Sequence, residues 1–336
     1  MRILVTGGAG FIGSNLVHYL LSKYEDVHIT TLDKLTYAGN LANLQQLPDG
    51  GRHTFIKGDI CDDVDVERAF GDGVDVVFHL AAESHVDRSI LDSRAFVLTN
   101  VLGTQVLIDR MCKQGSGRFV HVSTDEVYGS LGPTGEFHES SPLDPTSPYS
   151  ASKTASDMMV LAAVKTHGLD AVVTRCSNNY GPYQFPEKLI PLMISNALND
   201  EALPVYGDGK QVRDWIHVLD HCSALDTVRL RGQQGEVYNI GGVGGERENI
   251  EIVTTILQEL GKPESLIRYV ADRPGHDRRY AICSDKVIAL GWKGEYDLAR
   301  GLKETIEWYR TNQAWWEAIK SGAYLKYYEQ QYGSRL

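Results

Sequence analysis

Short apolar runs alternate with longer amphipathic stretches along the first half of the chain. The apolar runs lie at 3–5, 27–32, 54–56, 74–80, 119–122 and 171–175. Runs of this length without polar alternation are typical of strands that are buried on both faces of a sheet. Apolar residues at helical spacing separate them, for example over 16–21 and 96–111. The alternation predicts an α/β fold with a doubly wound parallel sheet of the Rossmann type.

The pattern changes after residue 177. Glycines, prolines and short elements follow up to about residue 214, and a helix and a strand return over 217–241. We expect residues 1–177, together with about 217–241, to form the Rossmann domain. Residues 178–336 then form mainly a smaller, mixed C-terminal lobe that closes over the sheet and binds the substrate.

Composition narrows the functional classes. The chain has 336 residues, 42% of them hydrophobic, and a formal net charge of −11, which argues against a nucleic-acid partner. Its five cysteines lack metal or redox spacing, so we expect reduced thiols and a cytoplasmic protein. We find no signal-peptide pattern and no apolar run long enough to span a membrane, so we expect no membrane partner.

Gly7, Gly10 and Gly13 form a GxxGxxG loop between the first strand and the first helix. In that setting glycines let the backbone approach a pyrophosphate at the helix N-terminus, so the loop predicts a dinucleotide site. The alternative is an ordinary glycine-rich turn. Asp33 ends the second strand, where an acid favours NAD over NADP by binding the ribose 2′-hydroxyl. The adjacent Lys34 weakens that inference.

Two later strand ends add candidate cofactor contacts. Asp59 follows the third strand and could contact adenine, or it could cap a helix. Ala81 and Ala82 follow the fourth strand, where two small residues would let the backbone approach a flat ligand closely.

Thr124, Tyr149 and Lys153 could oxidise an alcohol. Thr124 follows the fifth apolar run, at the strand edge where open α/β sheets bind ligands. Tyr149 and Lys153 share a helix face at i and i+4, so the Lys cation can favour the phenolate of Tyr149. A phenolate can take an alcohol proton while hydride leaves for NAD. The alternative is an ordinary surface Tyr–Lys pair.

Asp125 and Glu126 could act after the oxidation. A ketone acidifies the adjacent C–H, from which Glu126 could take the proton, while a protonated Asp125 could donate to a departing hydroxyl. Adjacent carboxyls tend to have their pKa values pushed apart, which suits one base and one acid. The alternative is a capping Asp beside a solvated Glu.

Arg213 and Arg273 lie in two polar loops of the second lobe and suit a diphosphate, although surface salt bridges to neighbouring aspartates are the alternative. His217 and His221 have the i, i+4 spacing of a metal pair. No further ligand pattern surrounds them, so we expect ordinary helix histidines and no metal.

Four longer motifs carry a family resemblance. They lie at 80–89 (LAAESHVDRS), 123–129 (STDEVYG), 177–183 (SNNYGPY) and 273–280 (RPGHDRRY). With GxxGxxG, Thr124 and the Tyr149–Lys153 pair, they make the chain similar to the extended short-chain dehydrogenase/reductases and, among them, to the family of dTDP-glucose 4,6-dehydratases. The likeness runs from residue 2 to about 309 without a departure at any catalytic position. The epimerase relatives lack the Thr-Asp-Glu sequence.

The resemblance implies an NAD-dependent lyase reaction, a hydro-lyase in three steps. Tyr149 takes the C4 hydroxyl proton with help from Thr124, and hydride passes from C4 to NAD. Glu126 removes the C5 proton while Asp125 protonates the C6 hydroxyl, and water leaves. Hydride then returns to C6 and Glu126 returns a proton to C5. The implied product is dTDP-4-keto-6-deoxy-glucose, with no net redox change.

The resemblance also implies the binding residues and a homodimer joined through helices near 94–112 and 149–167. Together with the loop glycines and Ala81 discussed above, the implied contacts complete the set of predicted cofactor residues. The set is Gly7, Gly10, Phe11, Ile12, Gly13, Asp33, Lys34, Leu35, Thr36, Asp59, Ile60, Leu80, Ala81, Ala82, Ser84, Thr99, Tyr149, Lys153 and Asn179. The implied substrate contacts are Ser84, Thr124, Asn178, Lys188, Leu189, Pro204, Tyr206, Arg213, Asn249, Arg273 and His276.

Three alternatives remain at this point. A UDP-glucose 4,6-dehydratase would use the same chemistry. The sequence does not firmly separate thymidine from uridine, because the single methyl group by which the bases differ is worth only about 1–3 kcal/mol in a binding pocket. A nucleotide-sugar 4-epimerase would use Tyr149 and Thr124 but would have no use for Asp125 and Glu126. An NAD-binding regulator on the same fold would be expected to have lost the catalytic residues. By the resemblance, the pathway is deoxysugar biosynthesis.

Overall fold

The computed structural model describes residues 1–242, 244–272 and 277–321. The strands are β1 (Arg2–Thr6), β2 (His28–Asp33), β3 (His53–Lys57), β4 (Val76–His79), β5 (Arg118–Thr124), β6 (Ala171–Cys176), β7 (Asn178–Tyr180), β8 (Leu203–Tyr206), β9 (Val212–His217), β10 (Val237–Ile240), β11 (Glu246–Glu248) and β12 (Ile267–Val270). The helices are α1 (Phe11–Lys23), α2 (Asp63–Phe70), α3 (Val86–Leu91), α4 (Ser93–Phe96), α5 (Gly103–Gln114), α6 (Pro148–His167), α7 (Leu189–Leu198), α8 (Val218–Arg231), α9 (Asn249–Leu260), α10 (Asp285–Ala289), α11 (Leu298–Thr311) and α12 (Gln313–Ile319).

Seven parallel strands form the main sheet in the order β10-β6-β5-β4-β1-β2-β3. The predicted doubly wound α/β fold is therefore confirmed. The order reverses between β1 and β4, and ligands of such sheets bind in the crevice at this switch point. The predicted strand near 236–240 is β10, and it does return to the main sheet, pairing with β6.

Helices cover both faces of the sheet because successive strand residues point to opposite sides. On β1, Ile3 and Val5 pack with α1 and α8, whereas Leu4 packs in the core that includes residues of α2, α5 and α6. α8 thus belongs to the main sheet although β7, β8 and β9 precede it in the chain. The chain crosses between its two parts more than once.

The smaller part has its own sheets and core. β11, β9 and β7 form a mixed three-stranded sheet, and β8 pairs with β12 in parallel. α7, α9 and α11 contribute Ile194, Ile256 and Ile306 to a separate hydrophobic core. The expected smaller, mixed C-terminal lobe is present.

The predicted helix over 94–112 is continuous but not uniform. It consists of α4, a π-helical segment at Val97–Leu102, and α5. The π segment carries Asn100, whose side chain bonds both the Glu83 backbone and the Ser152 hydroxyl. π segments often occur at functional sites, and this one joins the loop after β4 to α6.

All five cysteines carry free thiols. Across residues 1–242, 244–272 and 277–321, no helix has both the length and the apolar character needed to cross a bilayer.

Candidate active site

A cavity of about 540 Å³ lies over the carboxyl ends of β1 to β6. It is lined by the glycine loop after β1, the ends of β2 and β5, and the start of α6. Its lining also includes Asn178 and Lys188, which follow β6 in the chain. The cavity therefore brings residues of both parts of the chain to the edge that the strand order marks as the ligand site.

The turn from β1 into the start of α1 requires glycine at two positions. Gly7 has φ +70°, and a Cβ there would lie 2.7 Å from the backbone nitrogen of Ala81. A Cβ on Gly13 would lie 2.2 Å from the Gly7 carbonyl oxygen. Such a cradle, opening onto the N-terminus of α1, fits a dinucleotide pyrophosphate.

Asp33 closes one side of this cradle. Its carboxylate accepts hydrogen bonds from the backbone N–H groups of Ala9 (3.0 Å) and Leu35 (2.8 Å). Burial raises the pKa of Asp33, and these two hydrogen bonds oppose that rise. Lys34 forms a 2.6 Å ion pair with Asp59, and both residues line the cavity.

The two interpretations of Asp59 can now be separated in part. Asp62, not Asp59, caps α2, and its side chain accepts from the backbone N–H groups of Val64 and Asp65. Asp59 instead lines the cavity and pairs with Lys34. The helix-cap alternative is therefore wrong, and the adenine contact stays a prediction.

Thr124 and Asp125 stand where β5 ends and a 3-10 turn, Asp125–Tyr128, begins. The Thr124 hydroxyl accepts from the backbone N–H of Glu126 (3.2 Å) and donates to Asp125 Oδ1 (3.3 Å). Asp125 is 2% exposed, and its Oδ2 has no hydrogen-bond partner within the described part of the chain. Burial, then the carboxylates of Glu126 and Asp214, hold the pKa of Asp125 well above its usual value. A buried, protonated carboxyl suits an acid.

The start of α6 positions Tyr149 and Lys153. Ser147 and Ser150 form a capping box, and Pro148 is the first residue of the helix. Tyr149 is therefore in the first turn, where the helix dipole favours an anion. Lys153, one turn later, donates to the backbone oxygen of Val122 (2.9 Å).

Burial dominates the electrostatics of this pair. Burial, followed by the charge of Glu126, raises the pKa of Tyr149 well above 10, while contact with Thr124 lowers it. Burial also lowers the pKa of Lys153 to about 8. Burial therefore opposes the phenolate in the chain by itself, and the expected help from the Lys153 cation stays a prediction.

A buried ionic network contacts the 3-10 turn Asp125–Tyr128, called the catalytic turn below, through the side chain of Tyr128. Asp157 on α6 accepts from Arg175 on β6 (2.9 Å) and lies 3.3 Å from His121 on β5. Arg175 also donates to the Tyr128 hydroxyl (2.9 Å). Sequence reasoning missed this network, although a histidine and an arginine within apolar strands are an available signal.

A second missed cluster joins the two parts of the chain at the cavity. Glu187 accepts from Arg88 (3.2 Å), and the Arg88 guanidinium lies 3.9 Å from the centre of the Tyr37 ring. Next to it, Lys188 donates to the backbone oxygen of Ser84 (3.2 Å). Tyr37, Glu187 and Lys188 all line the cavity. These contacts place Lys188 beside the loop that follows β4.

The cavity gathers most of the predicted residues. All predicted catalytic residues line it, as do the predicted cofactor residues except Leu35. The predicted substrate residues in the lining are Ser84, Thr124, Asn178 and Lys188. These roles stay predictions.

Other predicted substrate residues lie in the smaller part, outside the cavity lining: Leu189, Pro204, Tyr206, Arg213 and Asn249. Arg213 donates to the backbone oxygen of Asp277 (2.9 Å), and its charge lowers the pKa of Asp125. Arg273 and His276 lie outside the described residues.

The two spaced histidines have structural partners. His221 Nδ1 lies 2.9 Å from Asn179 Oδ1. His217 caps α8 and stacks on Tyr296 at a ring distance of 3.9 Å.

Comparison with known proteins agrees with this geometry. The GDP-mannose 4,6 dehydratase family model matches residues 4–305. The dTDP-glucose 4,6-dehydratase of Streptomyces niveus is 51% identical over 326 residues, which cover 96% of each chain. The chain belongs to the GDP-mannose 4,6 dehydratase family and, within it, to the dTDP-glucose 4,6-dehydratases.

Two further relatives cover this enzyme almost completely. The dTDP-glucose 4,6-dehydratase of Shigella flexneri is 50% identical over an alignment of 362 positions that covers 100% of both chains. The crystal structure of the Streptomyces venezuelae dehydratase DesIV, with NAD and dTDP bound, superposes with a TM-score of 0.92 at 51% identity. That match covers 95% of this chain and 100% of DesIV. The predicted family is thus confirmed.

Proposed function

We propose that the chain converts dTDP-glucose to dTDP-4-keto-6-deoxy-glucose and water, with NAD as a recycled cofactor, in deoxysugar biosynthesis. One observation carries the mechanism: two adjacent carboxyls occupy different environments beside Tyr149. Asp125 is buried and has a raised pKa, whereas Glu126 is only partly buried. An epimerase would have no use for such a pair, so the geometry favours dehydration.

Tyr149, Thr124 and Lys153 act first. Tyr149 removes the proton of the C4 hydroxyl, and the Thr124 hydroxyl orients the same oxygen. Lys153 is held by the Val122 carbonyl one turn from Tyr149 and stabilises the phenolate electrostatically. Because burial raises the pKa of Tyr149, the proton leaves only when positive charge is close to the ring.

Asp125 and Glu126 then remove water. Glu126 takes the C5 proton, and the protonated Asp125 gives its proton to the C6 hydroxyl, which departs as water. Glu126 later returns a proton to C5. The buried Oδ2 of Asp125, which lacks a partner among the described residues, is the atom we assign to proton delivery.

The residues present fit NAD. The glycine cradle admits the pyrophosphate, and Asp33 stands where it can accept from a ribose hydroxyl. Bound NAD supplies a hydride acceptor for C4, the same hydride for C6, and a positive nicotinamide ring. We assign the binding of NAD to residues 1–177 with about 217–241, and that of the nucleotide sugar mainly to residues 178–336.

The decisive experiment uses purified enzyme without added nicotinamide. It is incubated with dTDP-glucose and, separately, with UDP-glucose, and the products are identified by mass. Loss of one water from the dTDP sugar is the expected result. Loss only from the UDP sugar would change the substrate but keep the chemistry. A stereoisomer of unchanged mass would indicate an epimerase, and no product even with added NAD would contradict the proposal.

We also propose a homodimer joined through α4, α5 and α6. α5 and α6 pack side by side, and apolar side chains are exposed on α6 and on the π-helical segment between α4 and α5: Val97 (55%), Leu102 (46%) and Met158 (42%). Grouped apolar exposure of this kind is typical of an interface. We place the dimer in the cytoplasm, where its free thiols stay reduced.

Light scattering during gel filtration tests the interface. We expect a dimer for the wild type and a monomer for Leu102→Glu combined with Met158→Glu. Leu230, 55% exposed on α8, provides the control, and Leu230→Glu should remain dimeric. A double variant that stays dimeric would exclude this face.

A further inference from the structure

A group of three side chains of types that can ligate metals lies where residues 136–138 meet residues 281–283. Phe137 forms a parallel bridge with Ile282, with hydrogen bonds from Phe137 N to Ala281 O (2.8 Å) and from Cys283 N to Phe137 O (2.9 Å). Neighbours of a bridged residue point to the opposite face. Glu136, His138 and Cys283 therefore share one face.

We propose that Glu136, His138 and Cys283 bind one divalent transition-metal ion of the zinc class. Their ligand atoms, one per residue, all lie within 4.8 Å of one another. His138 Nε2 lies 4.0 Å from Glu136 Oε1. This is the one such group of three found in the described part of the chain.

The ligand atoms of the three side chains must move slightly closer together to bind a metal ion. Zinc bonds of about 2.0–2.3 Å in a tetrahedral site place donor atoms about 3.4–3.6 Å apart. The side chains of Glu136 and His138 are 49% and 55% exposed, so rotation about their side-chain bonds can bring them to Cys283. Cys283 itself is 6% exposed and fixes the inner corner of the site.

The donor chemistry selects the ion. A thiolate and an imidazole favour zinc, cobalt or copper, whereas magnesium and calcium prefer sites made of oxygen alone. On binding, the Cys283 thiol releases its proton to solvent and the sulfur coordinates as thiolate, while His138 binds through a neutral ring nitrogen. Water completes the fourth position, because three protein ligands leave it open.

The backbone under the ligands is held in place without a metal. Phe137 stacks on Tyr128 with ring centres 5.0 Å apart, and the Asn239 side chain donates to the Phe137 carbonyl (3.1 Å). The Glu139 carboxylate accepts from the Asn239 N–H (2.9 Å), and His138 N donates to Ser141 Oγ (2.9 Å). A pre-ordered backbone lowers the entropy cost of coordination.

The position gives the metal a structural consequence. Residues 129–147 connect the catalytic turn at Asp125–Tyr128 with α6, which carries Tyr149. A metal held by Glu136, His138 and Cys283 would tie the middle of this connection to the segment that enters α10. The metal would therefore have a structural role, cross-linking these two segments. It would lie outside the catalytic cavity, because none of its three ligands lines that cavity.

The test uses full-length enzyme without a polyhistidine tag, stripped with a chelator and kept reduced. We expect one equivalent of Zn²⁺ to bind, measured by competition with a chromophoric chelator, and the melting temperature to rise with Zn²⁺ but not with Mg²⁺. Co²⁺ should give a thiolate-to-cobalt absorption band. His138→Gln and Glu136→Gln should each weaken Zn²⁺ binding at least about tenfold. Cys283→Ser should abolish the cobalt band.

Matched variants make the result decisive. Cys112→Ser and His167→Gln replace partly buried and exposed residues of the same types outside the group, and should bind Zn²⁺ as the wild type does. His138 and Glu136 are exposed, so their variants should fold normally, with unchanged melting temperatures in the absence of metal. The proposal is overturned if the wild type binds no Zn²⁺, or if all three ligand variants bind it as tightly as the controls.

Discussion

The two ends of the cavity are built on different principles. At the dinucleotide end, Gly7, Gly13 and Ala81 let backbone segments approach closely, and the fit depends on shape. At the catalytic end, Asp125 and Lys153 are buried ionisable groups whose pKa values are displaced by loss of solvent. One end recognises its ligand through backbone geometry. The other derives its reactivity from desolvation, which destabilises the charged forms of its groups.

The largest effect is expected at the catalytic end, from Tyr149→Phe. The substitution keeps the ring and removes the hydroxyl that takes the C4 proton. Turnover should fall by about 10²–10⁴ or more, as for loss of a general base, while the affinity for NAD changes little. Steady-state rates with dTDP-glucose and titration with NAD measure the two effects. Tyr269→Phe, at a 59% exposed residue of β12, should match the wild type, and a Tyr149→Phe enzyme of near-normal rate would refute the assignment.

Glu126→Gln separates the roles within the catalytic end. It should block removal of the C5 proton but leave C4 oxidation in place, so reduced cofactor should accumulate on the enzyme after dTDP-glucose is added. Product formation should fall by about 10²–10⁴. NADH absorbance during a single turnover is the readout. Glu67→Gln on α2 is the control, and normal product formation by Glu126→Gln would contradict the proposed base.

Gly13→Ala tests the dinucleotide end. The added Cβ would lie 2.2 Å from the Gly7 carbonyl oxygen, so the loop must shift. Overpacking of this kind costs about 1–3 kcal/mol, and NAD affinity should drop about tenfold or more. Gly132→Ala, where a Cβ meets open space, should bind NAD normally. Equal NAD affinity for both variants would show that the cradle does not position the cofactor.

The last prediction concerns stability rather than activity, through the pH dependence of unfolding near the catalytic end. Burial and Glu246 raise the pKa of Asp214 on β9 to about 7, and Asp214 in turn raises the pKa of Asp125. A carboxyl with a raised folded pKa favours the folded state below its unfolded pKa and loses that contribution as pH rises to about 7. The loss is at most about 4 kcal/mol.

Asp214→Asn removes this titration. Relative to wild type, its free energy of unfolding should therefore improve between pH 5 and pH 8, as measured by urea unfolding at both values. The comparison uses the change with pH, so any fixed cost of the amide cancels. An unchanged difference across that range would show that Asp214 keeps an ordinary pKa.

Sequence patterns predicted the parts of the molecule that depend on local order. β1 to β6, α1 and α5 follow from apolar runs and helical spacing, and the glycine loop follows from the strand and helix on either side of it. The short strands β7, β9 and β11 were not predicted, because strands of three to six residues without a clear period resemble loops. The Arg88–Glu187 ion pair was missed for a different reason. Its members come from distant segments that only folding brings together.

The chain order alone places Tyr149 and Lys153 one helical turn apart, sets Thr124, Asp125 and Glu126 at a strand end, and spaces three glycines for a tight turn. These relations are local, and local backbone geometry is enough to produce them. The different environments of Asp125 and Glu126, the raised pKa of Tyr149 and the contact of Lys188 with Ser84 arise only in the folded molecule. Solvent exclusion and long-range contacts depend on what packs around a group in three dimensions, and neighbours in the sequence do not specify that.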